Sequence, residues 1–185
     1  GGDNMDLALA WGVARKLADE GRQLDAWQTR ALAHGCRTAK EQLLADAALE
    51  AVPVVVPSRG SKLIGGSIRT EVTRDQVLAL LVEGFFPRVA VSDKPQTRAR
   101  AALTQLGLPY AQDAAVTRHL AAFLSRQAGA MEQIEGLQSQ PGASFLHPTA
   151  ILFNGGVLKA AQIEQRILEV INGWLSADGA GPARL

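Results

Sequence analysis

The sequence is poor in the residues that build metal sites and covalent cross-links. It has one cysteine, Cys36, and three histidines, His34, His119 and His147, in 185 residues. One cysteine excludes an internal disulfide, and the wide spacing of these four residues matches no zinc-binding pattern. The composition therefore predicts no metal site, and it fits a reducing compartment such as the cytoplasm.

The chain also lacks an excess of charge of one sign and a long apolar run. Its 19 basic and 18 acidic residues give a formal net charge of +1, which argues against strong attraction to nucleic acid or to an anionic membrane. No apolar run approaches the roughly 20 residues that span a bilayer, and the first residues do not form a signal-peptide pattern. We expect a cytoplasmic protein that binds neither nucleic acid nor membrane. Because the chain does not begin with methionine, we also expect it to be a piece of a larger protein.

Motifs of complete enzymes are missing. No Gly-x-Ser-x-Gly nucleophile motif occurs, and no pair of carboxylates stands apart from acids that cap helices. The glycines at 60, 65 and 66 have the spacing of a phosphate-binding loop, but a glycine stands where that loop needs its lysine. Hairpin turns explain these glycines better, and the chain by itself is not expected to be catalytic.

What is present is material for a core, since 47% of the residues are apolar, and their pattern along the chain predicts a mixed α/β fold. Asp3 or Asn4 is a candidate cap for a helix from about Met5 to Glu20. Its predicted buried residues are Leu7, Trp11, Ala14 and Ala18. A second helix is predicted from Leu24 to about Ala48. Its apolar stripe comprises Leu32, Cys36, Ala39, Leu43 and Ala47.

The middle of the chain predicts a small sheet followed by helices. Valine-rich residues 53–57 and the segments 62–64 and 67–72, separated by turn glycines, indicate an antiparallel meander. Thr73 is then expected to cap a helix through Phe85, and Asp113 a helix to about Gln127. The predicted inward faces of these two helices comprise Val77, Leu80, Leu81 and Phe85, and Val116, Leu120 and Phe123 or Leu124. Between the helices, residues 87–111 include a charged stretch that indicates a solvated insertion.

The segment Ile151-Leu152-Phe153-Asn154-Gly155-Gly156 predicts a strand, a glycine turn and a following helix at 157–176. Paired glycines let a backbone approach a ligand, and the free N–H groups of a helix start suit an anion or a polar nucleotide edge. An ordinary structural turn between strand and helix has the same pattern.

Three segments together resemble a known family. They are Gly1-Gly2-Asp3-Asn4-Met5-Asp6, Gly35-Cys36-Arg37-Thr38-Ala39-Lys40-Glu41-Gln42-Leu43, and the segment ending at Gly155-Gly156. In this order they resemble the second lobe of the nucleotide-binding domain of DnaK-type chaperones, the seventy-kilodalton heat-shock family. Residues 72–77, Val-Thr-Arg-Asp-Gln-Val, are similar to that family's Ile-Thr-Arg-x-x-Phe motif. The resemblance covers most of the chain and is patchy between about 86 and 148.

The resemblance implies an actin-like, ribonuclease H-like fold and a place for adenine nucleotide. Residues 1–148 would form a small subdomain of helices and meander, and 149–185 a strand-turn-helix piece of a larger subdomain. The implied ATP or ADP contacts comprise Gly2, Arg37, Lys40, Glu41, Leu44, Gly155, Gly156 and Lys159. Lys40 matches the family directly, and the glycine turn is expected to close against the exposed flank of its helix. The resemblance also implies that magnesium is held by residues outside this chain, and that client proteins or co-chaperones are partners.

Four positions depart from the family pattern. Arg37 stands for a glutamate, Glu41 for an arginine and Leu44 for a small serine, while Lys159 replaces an arginine that packs on the base. Arg37 and Glu41 are spaced for a swapped ion pair, of about 0.3–0.5 kcal/mol at an exposed helix surface. Lysine does not stack on a base as arginine does. The chain is therefore identified as a divergent relative.

Two other functions remain open. The first is an actin-like scaffold or interaction module that has lost nucleotide binding, which the residues at 37, 41 and 44 favour. The second is an unrelated α/β enzyme domain that uses the Asn154-Gly155-Gly156 turn as an anion site. Arg37, Lys40, Glu41 and Leu44 are spaced to converge on one patch in all three cases.

Overall fold

The computed structural model describes residues 2–57, 67–96, 113–128 and 142–185. These residues form a mixed α/β structure with five α-helices and one two-stranded antiparallel sheet. The chain divides into two compact units, Gly1–Leu81 and Val82–Leu185. The subdomain boundary expected near residue 148 lies inside the second unit, and that subdomain assignment stays a prediction.

The first unit begins with helix α1, Gly2–Asp19. The helix already includes Asp3 and Asn4, so the prediction that one of them is the N-cap is wrong. The predicted buried face is also wrong, since Trp11 is 42% exposed. Leu7 and Ala14 are half-buried and Ala18 is exposed. The stripe that packs inward has a spacing of four residues and comprises Met5, Leu9, Val13 and Leu17.

Helix α2, Ala26–Ala45, packs against α1. It begins at a capping box in which the Gln28 backbone N–H donates to Asp25 at 2.8 Å and the Asp25 N–H donates to the Gln28 side chain at 3.1 Å. The predicted apolar stripe is confirmed over Leu32, Cys36, Ala39 and Leu43, which are all buried. Ala47 lies past the end of the helix and is exposed.

Strands β1, Ala51–Val56, and β2, Ile68–Thr73, pair antiparallel. Val54, Val56 and Val72 are buried. A Cβ on Gly35 of α2 would stand 2.6 Å from Val54 Cγ1, so glycine lets α2 lie directly on β1. The predicted third strand at 62–64 and the turn glycines at 60, 65 and 66 lie outside the described residues.

Thr73 caps the next helix as predicted. Its hydroxyl accepts from the Gln76 N–H at 3.2 Å, and the Gln76 side chain accepts from the Thr73 N–H at 3.0 Å. The helix that follows is α3, Arg74–Val77, and it continues as a π-helical segment, Leu78–Glu83. Nothing in the sequence pattern predicted the π-helical segment. Of the four residues expected to face inward, Val77, Leu81 and Phe85 are buried and Leu80 is half-buried.

In the second unit, helix α4 spans Val116–Arg126. Its predicted buried face is confirmed at Leu124, one of the two alternatives for that position, while Leu120 is half-buried and the prediction is wrong for Val116. Val116 and Phe123 are 41% and 49% exposed. The residues that pack inward are Thr117, Ala121 and Leu124. The Thr117 hydroxyl donates to the Pro87 carbonyl at 2.7 Å, which fixes this rotation of the helix. Ala115, rather than the predicted Asp113, stands at the cap position.

The start of the predicted insertion is bound to the two helices of this unit. The backbone carbonyls of Pro87, Val89 and Val91 accept hydrogen bonds from side chains of Thr117, Trp174 and Ser125. Residues 87–91 are therefore anchored to these helices through their backbone. In the charged stretch that predicted a solvated insertion, Asp93, Lys94 and Gln96 are exposed, as expected. Residues 97–111 of the predicted insertion lie outside the described residues.

The strand predicted at 151–153 is not formed. In the described residues this segment has one isolated parallel bridge, Ala150↔Arg184, with Ile151 N–H donating to the Arg184 carbonyl at 2.8 Å. The helix expected at 157–176 begins as a 3₁₀ turn, Gly156–Lys159, followed by α5, Ala161–Ala177. The apolar residues that recur at helical intervals in this segment are Val157, Ile163, Ile167 and Val170; the last three are buried in α5, and Val157, in the 3₁₀ turn, is half-buried.

Candidate functional site

Lys40 lies in the first unit beneath the surface of α2. Its side chain is 10% exposed, and its ammonium is 2.5 Å from Asp6 Oδ1, in a carboxylate that is 8% exposed. Asp6 belongs to the first turns of α1. The ion pair therefore joins the two segments, around 1–6 and 35–43, that carry most of the family resemblance.

The surroundings of this ion pair are apolar. Leu9 of α1 lies one turn from Asp6, and Cys36 and Leu43 of α2 lie one turn from Lys40. All three side chains are buried. Burial, and next the negative charge of Asp6, raise the pKa of the Cys36 thiol to about 12. A carboxylate in such a place is stabilised by a paired cation, and removing one partner of a buried pair costs about 3–5 kcal/mol.

Arg37 and Glu41 lie on the solvent side of α2. Arg37 Nε is 3.2 Å from Glu41 Oε1, and the two side chains are 56% and 60% exposed. The predicted swapped ion pair is thus confirmed. Because both side chains are exposed, water weakens the attraction between the two charges.

The expectation of a single patch of four side chains is wrong for Lys40. Arg37 and Glu41 face water and Leu44 is half-buried, whereas the ammonium of Lys40 points toward α1. The physical reason is the carboxylate of Asp6, which attracts the lysine across the helix interface. The exposed flank of α2 therefore carries the ion pair and not the lysine.

Gly2 is the first residue of α1 and is half-buried. It precedes Asp6 by about one turn, or about 6 Å along the helix axis. The sequence resemblance to the family thus concerns a glycine at the start of α1 and a lysine of α2 whose ammonium reaches the first turns of α1. Their predicted contact with nucleotide stays a prediction.

The turn at Gly155-Gly156 belongs to the second unit and is exposed. Gly155 has φ +98° and ψ 159°, a conformation that side chains with a Cβ rarely adopt. Gly156 has no such φ, and among the described residues a Cβ there would contact nothing within 4 Å. The fold therefore explains the glycine at 155 but not the one at 156. Lys159 ends the 3₁₀ turn with its side chain in solvent.

Sequence reasoning missed Asp6 as a member of this constellation. The sequence contains a signal for it, because Asp6 is an acid that follows Met5 and precedes Leu9 and Ala10, and all three of these apolar residues are buried in α1. A buried acid requires a cationic or hydrogen-bonding partner, and Lys40 was the lysine on the neighbouring helix. The prediction failed because the apolar face of α1 was assigned around Trp11.

Polar clusters also lie in the second unit. Buried Arg166 donates to the Glu83 carboxylate and to the Phe86 carbonyl, and Arg88 pairs with Glu83 and with Glu169. Hydrogen bonds from Arg166 and from Arg88 hold the pKa of Glu83 and of Glu169, respectively, below the ordinary value.

Another cluster surrounds Asp178, at the end of α5. One oxygen of its carboxylate accepts from the Ser144 hydroxyl at 3.0 Å and lies 3.1 Å from His147 Nε2. These bonds, that of His147 first, lower the pKa of Asp178. Ser144 and His147 both bond to the same carboxylate, whereas in a nucleophilic triad the histidine lies between the serine and the aspartate.

Comparisons with protein-family models, with curated proteins and with solved structures find no match to this chain. In the parts of the chain that the structure describes, no helix is both long and apolar enough to cross a membrane. Over the same residues, no group of three or more His, Cys, Asp or Glu side chains is placed to hold a metal ion.

Proposed function

We propose that this chain contributes the adenosine side of the nucleotide cleft in a divergent DnaK-type chaperone with an actin-like ATP-binding domain. The observation that carries the proposal is the buried contact between Lys40 and Asp6. The resemblance puts Gly2 near the ribose and Lys40 in the adenosine pocket, and it therefore requires the start of α1 and this lysine to be neighbours. A 2.5 Å ion pair between the two segments supports that requirement.

The glycine turn gives separate support. Gly156 is exposed and has no contact, among the described residues, that a Cβ would disturb. A glycine loses more conformational entropy on folding than other residues do. The close approach of a ligand to the backbone would be a physical reason for glycine at position 156. Lys159 places a cation in solvent three residues later.

Substitution of both cations tests the proposal. In the intact protein, Lys40→Ala together with Lys159→Ala is expected to weaken ADP binding about tenfold or more, as isothermal calorimetry would measure it. Lys94→Ala is the matched control, because it removes an exposed lysine that the proposal leaves outside the site. Unchanged affinity in the double variant would remove these two residues from the site.

A second function has one observation in its favour. The Lys40 ammonium is already held by Asp6, and Arg37 and Glu41 neutralise each other, so three charges implied to meet nucleotide are engaged within the chain. This favours an actin-like scaffold that acts through protein contacts and has lost nucleotide binding.

The scaffold is distinguished by removing residues 97–111 only, since 87–91 anchor α4 and α5. It predicts that a purified partner complex is lost on this deletion and is unaffected by ATP or ADP. A complex that ADP strengthens or releases would instead favour the chaperone.

A further inference from the structure

Asp6 is a charged residue that the resemblance does not assign to the nucleotide site. It is 6% exposed, on a helix face otherwise made of Met5, Leu9 and Ala10. A charged residue in such a place needs a specific partner, and Asp6 has one in Lys40. Such a pair can stabilise the fold alone, or it can also fix the position of the Lys40 ammonium.

The geometry of the lysine favours a positioning role. A lysine side chain has a flexible four-carbon stem, and it ordinarily bends to bring its ammonium into water. Arg37 and Glu41, within one turn on the same helix, do reach water. Lys40 does not, because the carboxylate of Asp6 draws the ammonium to the start of α1.

In the described residues, the bond to Asp6 uses only part of the hydrogen-bonding capacity of the ammonium. An ammonium has three N–H donors, and in the described residues Lys40 makes one hydrogen bond, to Asp6. Its stem is fixed at one end by the backbone of α2 and at the other by this bond. The donors that remain therefore have a defined direction, which a lysine free in solvent would lack.

We propose that Asp6 is a positioning residue for nucleotide binding, whose carboxylate holds the ammonium of Lys40 in the place where it meets the ligand. This inference rests on the proposed function, and it adds a residue that acts through Lys40 rather than by touching nucleotide. Its consequence is that affinity depends on Asp6 only while Lys40 is present.

The experiment measures ADP affinity of the intact protein by calorimetry, for variants shown by circular dichroism to be folded. Asp6→Asn is expected to weaken binding about tenfold, and Asp6→Glu about threefold, because the longer side chain restores the charge but displaces it. Asp19→Asn is the control, since it removes an exposed acid from the other end of α1. It should leave the affinity unchanged.

Coupling between the two residues gives a readout that a purely structural role would not produce. With Lys40→Met already in place, adding Asp6→Asn should change the affinity no further. This double variant buries no charge at either position, so it remains measurable even if Asp6→Asn alone fails to fold. A further loss of affinity on adding Asp6→Asn would mean that Asp6 acts without Lys40, and would overturn the proposal.

The outcomes separate this inference from the proposed function. If wild-type protein binds no ADP, the proposed function fails and the inference fails with it. If wild type binds ADP and folded Asp6→Asn binds equally well, only the positioning role is wrong. In that case the ion pair stabilises the fold alone.

Discussion

Cys36 is the residue whose chemistry is most changed by the fold. It lies in the stripe of α2, and burial, assisted by the charge of Asp6, raises its pKa to about 12. At pH 8 only about one thiol in ten thousand is then ionised, and the thiolate is the reactive form. The cysteine therefore contributes packing rather than reactivity.

Native protein is accordingly expected to react with a thiol reagent at pH 8 at least a hundredfold more slowly than protein unfolded in guanidinium chloride. The rate of absorbance change with a disulfide reagent measures this. Equal rates in the two states would contradict the burial of Cys36.

Asp113 is a carboxylate that the fold stabilises in its charged form. Burial alone would raise its pKa, but hydrogen bonds from Arg118 and from the Gln96 and Ala115 backbones outweigh burial and lower the pKa from 3.8 to about 2. A lowered folded-state pKa contributes stability above the unfolded value, and that contribution is lost as the pH falls toward 2.

Asp113→Asn is therefore expected to lower the free energy of unfolding by on the order of 1–2 kcal/mol at pH 7. Urea unfolding monitored from pH 7 to pH 2 should show the difference from wild type shrinking below about pH 4. A difference that stays constant over this range would mean that the charge of Asp113 is not what stabilises the fold.

Among the helices, α2 was predictable because its sequence carries one apolar stripe, although the helix begins after the cap at Asp25 and not at Leu24. Helix α1 has apolar side chains on several faces, so pattern alone did not identify the buried one. The prediction placed Trp11 on the buried face. The buried face instead includes Asp6, and a search for regularly spaced apolar residues does not select an acid.

Helix α4 and the segment at 151–153 show which information the sequence lacks. Thr117 is buried because a carbonyl 30 residues earlier accepts its hydroxyl proton, and no local pattern contains that contact. Ile151, Leu152 and Phe153 are typical strand residues. A strand also needs a neighbour, and in the described residues this segment has only the bridge to Arg184.

The capping box at Thr73 gives a prediction for the start of α3. Thr73→Ala removes the acceptor for the Gln76 N–H and should lower the free energy of unfolding by about 1 kcal/mol. The control is Thr38→Ala, at an exposed interior position of α2, where alanine is the better helix former. Denaturant titration measures both; equal losses in the two variants would argue against the cap.

The two glycines of the 155–156 turn are expected to behave differently. Gly155→Ala forces a Cβ into a backbone with φ +98° and should cost about 1–3 kcal/mol of stability. Gly156→Ala meets open space and should leave stability unchanged while weakening ADP binding. Thermal unfolding and calorimetry separate these effects. A Gly156→Ala variant with normal ADP affinity would exclude the close approach of nucleotide at this residue.

For the whole molecule, the periodicity of the apolar residues predicted correctly a mixed α/β structure, and the order of the motifs produced the family hypothesis. The charged pairs decide how that hypothesis should be tested. Arg37–Glu41 and Lys40–Asp6 are each neutral within the chain, so nucleotide would meet residues already in pairs. Affinity, rather than the presence of the motifs, therefore distinguishes the chaperone from the scaffold.

The most direct measurement is a calorimetric titration of the intact wild-type protein with ADP. The account predicts saturable binding with one nucleotide per chain, which weakens when Lys40 and Lys159 are both replaced by alanine. Absence of binding by a folded, intact protein would contradict it and leave the scaffold as the function that the structure favours.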